Sequence, residues 1–321
     1  LREGLFIRKN KERWEKIQEG TVTDADELAK NFTQLVDDLA YAKTFYPSSR
    51  VTHYVNTLAS RIFMGIYKNR KDQSNRLLKF WKYDVPNAMY RHRLTMLFSF
   101  FVFILFFIVG FFSAEQDPQF TREILGNGYV EETEKNIRNN NPFGIYGNDP
   151  SFYMFMRIML NNLIVTFTYF VRGLLLGIPT MYALVQNSIM VGVFEQMFFA
   201  KGLGGQAVVT ILIHGMLELT GLVIACGAGF VMGKSMLFPG TVKRFEAFRE
   251  GAKDGVKLVV GLVPIFVTAA LLESYVTRYY KMPLVFSLAI LATCFLFVLW
   301  YFVLYPAQLN RKQKEEVPAH V

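Results

Sequence analysis

The chain has 321 residues, 52% of them apolar and 16% aromatic, with 31 Phe against 26 acidic residues and a formal charge of +9. This composition excludes a disordered chain, a collagen-like repeat and a disulfide-stapled scaffold. The surplus of Lys and Arg flanks apolar runs and does not gather in one groove, so it reads as a topology signal, and no nucleic acid is expected as a partner.

Residues 1–93 read as a cytoplasmic helical domain. An exposed, charged first helix surrounds Trp14; Thr23-Asp24-Ala25-Asp26-Glu27 then offers an N-cap, and Leu28, Phe32, Leu35 and Leu39 recur at helical spacing until Pro47. Ser48 and Ser49 can cap a further helix, in which Val51, Tyr54, Val55, Leu58 and Ile62 form one apolar face, so two helices can pair with the first laid across them. From Arg76 to Tyr83, Leu77, Leu78, Phe80 and Trp81 alternate with Lys79 and Lys82, which suits a helix in the headgroup layer feeding through Pro86 into a span. A fourth core helix of the domain is the competing reading.

No Asp, Glu, Lys or Arg occurs between Arg93 and Glu115, between Arg172 and Glu195, or between Lys281 and Arg311. Each gap can cross a ~30 Å hydrocarbon core at ~1.5 Å per residue. The first span is set at 94–112, a position far too late for a signal peptide. Residues 1–93 carry 18 Lys/Arg and 11 Asp/Glu, whereas 113–158 carry 4 and 7, which places the N-terminus in the cytoplasm and 113–158 outside, as a turn-rich cap with one short helix. The two cysteines, Cys226 and Cys294, sit inside apolar runs and form neither a disulfide framework nor a metal knuckle.

The bundle at 152–305 is expected to be all-α, with about six crossings in total and a basic cytoplasmic tail at 306–321. A helix from Phe152 to about Gly177 returns inward, Pro179 breaks or restarts the chain, and 181–200 carries Gln186, Asn187, Ser188 and Glu195. The six Lys/Arg of 233–257 must be inside, so parity makes 181–200 a polar third crossing that runs outward and 206–232 an inward one, before spans at 258–276 and 284–305. Whether 181–200 crosses fully or turns back stays open.

On 206–232, His214, Glu218, Gly221, Ala225 and Gly229 fall on one helical face, and small residues there let a neighbouring helix approach closely. Arg157, Asn161, Asn162, Glu195, His214 and Glu273 share the outer half of the bundle, with Glu218 near the middle and Asn187 on the polar crossing. One hypothesis makes them a single cavity open to the outside. The competing reading is a satisfied hydrogen-bond network that fixes helix register. His-Glu-x-x-His, Gly-x-Ser-x-Gly and Walker motifs are absent, so no catalytic residue, resident metal or cofactor is expected, although one His with two carboxylates could hold a metal.

These residues resemble the stage II sporulation protein M family over about 150–305: Asn162, Gly173-x-x-x-Gly177, Thr180, Asn187, Gly192, His214-Gly215-x-x-Glu218 with Gly221, Ala225, Gly229 and Gly233 behind it, and Ala269-Ala270-x-x-Glu273-Ser-Tyr. Phe6-Ile7-Arg8-Lys9-Asn10-Lys11-x-x-Trp14 is similar to the start of that family's non-sporulation branch. The resemblance implies a multi-pass protein of the prokaryotic cytoplasmic membrane. In endospore formers the family member is a membrane anchor for peptidoglycan-degrading partners, from which this chain departs in its long basic N-terminal segment. The broader branch is similar to proteins encoded beside MoxR-type ATPases, RDD-domain membrane proteins and von Willebrand-type domains.

Three readings follow. The first is a non-enzymatic scaffold or assembly subunit of an envelope complex, in contact with membrane lipids and other envelope proteins. The second is a transporter or lipid-handling protein using the intramembrane Glu/His cluster. The third is an intramembrane metal-dependent hydrolase.

Overall fold

A computed structural model describes residues 2–19, 25–69, 76–139, 141–142, 150–277 and 282–316. The described residues are helical, without strands, and divide into two compact units, Leu1–Arg76 and Leu77–Val321. The N-cap expected at Thr23-Asp24 lies outside the described residues, as do Asn140 and Asp149 of the turn-rich segment.

The first unit holds α1 (Glu3–Gln18), α2 (Ala25–Phe45) and α3 (Arg50–Asn69). Its core gathers Phe6, Trp14, Leu35, Ala42, Val55, Leu58 and Ile62. Trp14 is buried, against the expectation of an exposed first helix, because Phe6 meets it edge-on with ring centroids 5.5 Å apart and its indole N–H donates to Asp38 Oδ2 at 2.9 Å. Arg13 also pairs with Asp38. The charges around Trp14 occupy the other faces of α1 and hide this apolar line from a composition scan. Ser49 caps α3 through the Val51 N–H at 3.2 Å.

The second unit opens with an elbow: α4 (Arg76–Lys79), a π-helical turn over Phe80–Asp84, and α5 (Val85–Arg91). This segment, read from sequence as the end of the N-terminal domain, makes its bonds within the bundle unit. Trp81 Nε1 donates to the Gly261 carbonyl at 3.2 Å, while the Tyr301 and Tyr305 hydroxyls donate to the carbonyls of Trp81 and Lys82 at 2.8 and 2.9 Å. Pro86, five residues beyond Trp81 and four beyond Lys82, has no N–H to donate back to those carbonyls, and the tyrosine hydroxyls bond to them.

The bundle comprises α6 (Arg93–Gln116), α9 (Ser151–Arg172), α10 (Ile178–Phe199), α11 (Gly204–Leu237), a long helix made of α12 (Arg244–Gly261), α13 (Val263–Leu271) and the π-helical Leu272–Val276, and α14 (Leu284–Leu299) continuing through a further π turn into α15 (Tyr305–Glu316). Among the described residues between α6 and α9 lie two short helices, α7 (Pro118–Leu125) and α8 (Asn127–Arg138), where one was expected. Asp117 starts α7 by accepting from the Gln119 N–H at 2.8 Å, and Gly126, at φ +85°, permits the turn between the two.

Among the described residues, five helices are long and apolar enough to cross a membrane: Arg93–Gln116, Ser151–Arg172, Gly204–Leu237, Arg244–Val276 and Leu284–Glu315. The protein is therefore an all-α polytopic membrane protein. Helix α10 does not share that apolarity, yet it is 22 residues long and unbroken, the break falling in the turn 173–177, where Gly177 takes φ +81°.

The packing fixes the direction of α10. Leu94 and Phe98 border the groove at Ile178 and Tyr182, Gly110 lies against Ile189, and Phe111 stacks edge-on to Phe199, so α6 and α10 run parallel. By the same reasoning α9 and α11 are parallel, from Asn162–Glu218 to Gly173–Gly229. Helix α11 runs antiparallel to α6, where Met96 meets Gly227 and Ser99 bonds to Val223, and antiparallel to 244–276, from Gly251–Ser235 to Thr277–His214. Direction thus alternates along the chain with α10 counted. One end of the bundle carries Arg93, Arg172, Lys234 and the α12 cations, and the other carries α7 and α8.

At the basic end Asp254, 4% exposed, accepts from Arg91 at 2.8 Å and Lys257 at 2.9 Å, with His92 Nε2 at 3.1 Å, which ties the elbow to α12. At the other end Glu134 of α8 pairs with Lys201 at 3.1 Å, and that hydrogen bond holds its carboxyl below the usual range.

Candidate functional site

The site is built on two antiparallel helices in register. His214 and Glu218 are one turn apart on α11, as are Thr277 and Glu273 on the facing helix, so each member of one pair meets a member of the other. His214 Nδ1 lies 3.0 Å from Thr277 Oγ1. The ligating atoms of His214, Glu218 and Glu273 all lie within 4.8 Å of one another.

Two features of the chain deliver Glu273. Pro264 in the first turn of α13 has no N–H to donate, which separates α12 from α13 at Leu262. The π-helical turn Leu272–Val276 then carries Glu273 and Ser274, and such insertions re-aim the side chains beyond them. Within this turn the Ser274 hydroxyl is fully buried and has no hydrogen-bond partner.

Helix α9 contributes Asn162, whose Nδ2 donates to Glu218 Oε1 at 2.5 Å. This contact and the backbone contact of Gly173 with Gly229 share one offset of 56 residues, so a single rigid register sets both. Eleven residues separate them along each helix, close to three turns at ~3.6 residues per turn, which keeps both on one face.

Gly221 lies under the Phe266 ring, Gly229 under the Tyr169 carbonyl and Thr180, and Gly233 against the backbone of Leu176 and Gly177, with Ala225 fully buried between them. Along α11 the small-residue face therefore packs first on α13, then on α9 and α10 and on the turn between them.

The two carboxylates meet here at an electrostatic cost. Two ionised carboxylates 4.8 Å apart or closer repel by about 3.5 kcal/mol or more at an effective dielectric of ~20. The Asn162 amide offsets part of this, at ~1.5–3 kcal/mol for a hydrogen bond to a charged group. A cation held between the two carboxylates, whether proton or metal, removes the repulsion.

The remaining residues of the sequence-derived set lie elsewhere. Arg157 and Asn161 are exposed on α9. Asn187 donates to the Tyr169 hydroxyl at 2.6 Å and to the Ala183 carbonyl at 2.8 Å, which makes a second polar contact nearer the basic end. Glu195 is 7% exposed, stands outside the His214 group, and its Oε2 has no hydrogen-bond partner. Thr277 and Ser274 were not singled out from sequence, although both flank Glu273 within one turn. Asp254 was also missed. Its signal is a carboxylate on the face Gly251, Asp254, Gly255, Leu258, which is otherwise small and apolar.

A family model for stage II sporulation protein M matches residues 99–278, more than half of the chain. The chain belongs to the stage II sporulation protein M family. The match starts at Ser99 of α6 and ends one residue beyond Thr277, so this stage II sporulation protein M domain contains Asn162, His214, Glu218 and Glu273. A second model, for a domain of unknown function (DUF8413), matches residues 4–68, almost the whole first unit. No curated protein and no solved structure matches the chain.

Proposed function

We propose that this stage II sporulation protein M family member is an assembly subunit of an envelope complex in a prokaryotic cytoplasmic membrane. The observation that carries the reading is the division of the chain into a separately packed helical unit and a membrane bundle that ends in the polar pair α7 and α8. Both are surfaces a partner can hold without any chemistry by this chain. The basic end of the bundle then faces the cytoplasm and α7–α8 face outward, following the charge bias of the flanking segments. By family resemblance the candidates are MoxR-type ATPases, RDD-domain proteins and peptidoglycan-remodelling enzymes.

Cross-linking in native membranes, followed by purification of the full chain in mild detergent, tests the reading. A stoichiometric membrane or envelope partner is expected. A chain that purifies only as a lone monomer, with no cross-linked product, counts decisively against it.

The convergence of His214, Glu218, Glu273 and Asn162 favours a second reading, in which the bundle moves a cation or a lipid headgroup past these residues. Glu218→Gln separates the two. Loss of the cellular phenotype with an intact complex supports transport, whereas loss of the complex supports assembly.

A further inference from the structure

We propose that His214, Glu218 and Glu273 bind one divalent transition-metal ion of the zinc or manganese type inside the bundle. This goes beyond the assembly role and stands whether or not partners are found.

The donor set points to the metal. One neutral imidazole and two carboxylates bring two negative charges to a dication, so the loaded site is neutral overall, the form that burial among apolar helices penalises least. Imidazole beside carboxylates suits zinc, manganese or iron(II), whereas calcium takes six to eight oxygens and magnesium keeps most of its water. Ligands at ~2.0–2.2 Å from a tetrahedral ion sit roughly 3.3–3.6 Å apart. Atoms already within 4.8 Å of one another reach that spacing by small side-chain rotations. Three protein ligands leave a position for water or another oxygen donor, as in open zinc sites.

The surroundings match what a ligand set requires. Metal-bound histidines and carboxylates are oriented by hydrogen bonds to their remaining atoms. Here Thr277 holds the His214 ring at Nδ1, 3.0 Å away, and Asn162 holds one Glu218 oxygen at 2.5 Å. Access is graded as well: His214 is 4% exposed, while both glutamates are only part-buried, so an incoming ion meets carboxylate before imidazole. Glu195, a buried glutamate outside the group, is the natural control.

The test uses untagged full-length protein in detergent, checked for monodispersity, with zinc, manganese and cobalt(II) as probes. Elemental analysis after dialysis should find one metal per chain, and cobalt should give visible d–d bands that zinc bleaches. Asn162→Ala should weaken binding ~10–100-fold, Glu273→Gln and His214→Ala by more, and Glu195→Gln not at all. Saturating zinc should raise the melting temperature of the wild type and of Glu195→Gln but not of Glu273→Gln. If a ligand variant does not fold, Asn162→Ala and Thr277→Val supply the same comparison. Monodisperse wild type that takes up no stoichiometric metal from any of the three salts overturns the proposal and leaves the carboxylates sharing a proton. So does metal retained with unchanged affinity in the site variants that fold.

Discussion

Substituting Gly173 by Ala tests whether backbone contact between α9 and α11 sets the register of the site. A Cβ at Gly173 would lie 2.6 Å from Gly229 Cα and 2.7 Å from its carbonyl carbon, and closer still to the carbonyl oxygen. Ordinary carbon contacts are ~3.5–4.0 Å, so the helices must part by about 1 Å. No rotamer change relieves this, because every atom met is backbone. Overpacking of this kind costs ~1–3 kcal/mol, and Gly173 ends the helix, where alanine returns little in propensity. The matched control is Gly205→Ala, in the first turn of α11, where nothing lies within 4 Å of the added carbon. There the change should be neutral or stabilising by up to ~1 kcal/mol. Both variants are compared with wild type by reversible unfolding in mixed detergent and SDS micelles. Gly173→Ala should fall below Gly205→Ala by about 2 kcal/mol. Equal stabilities would refute the close contact, and with it the account of how Asn162 reaches Glu218.

Asp254→Asn should destabilise the bundle by ~1–3 kcal/mol, less than the loss of a fully buried pair because Arg91 is 65% exposed; the same unfolding assay reads it, and the gap should narrow in high salt. In the first unit, Asp38→Ala strands the buried Trp14 indole N–H, costing ~1–3 kcal/mol, and tryptophan fluorescence reports the loosened core. The pairing of Glu134 with Lys201 gives a pH dependence. The folded carboxyl is held below its unfolded value, so its contribution is complete above the unfolded pKa and is lost as pH falls through the folded one. Hydrogen exchange of 127–138, corrected for intrinsic rates, should therefore quicken at acid pH relative to neutral, and Lys201→Ala should abolish the difference.

The long apolar helices were legible because hydropathy and charge mark them directly. The common face of His214 and Glu218 followed from i,i+4 spacing, and the parallel course of 181–200 and the first span followed from parity. Rotation about each helix axis was not legible. Helix α10 packs closely on α6 through Gly110 and Gly192, and this seam leaves Glu195 outside the His214 group. The π turn that carries Glu273 has no local signature in Leu272-Glu273-Ser274-Tyr275-Val276. Trp14 was misjudged for a related reason: composition averages over a helix, whereas burial belongs to one face of it.

The limits of the family match divide the bundle in a physically meaningful way. The segment 99–278 contains the helices that meet at His214 and Glu218. The elbow 76–91 and helix α14 fall outside it, and each supplies what the other lacks. Pro86 has no N–H for the carbonyls of Trp81 and Lys82, which Tyr301 and Tyr305 satisfy, and the same tyrosines, in an otherwise apolar helix, need acceptors. Helix α14 also reaches the site, since Cys294 Sγ lies 3.8 Å from the Ile213 carbonyl, next to His214. The elbow and the His214 turn are thus both in contact with one continuous helix, separately from the glycine contacts that join α9 to α11.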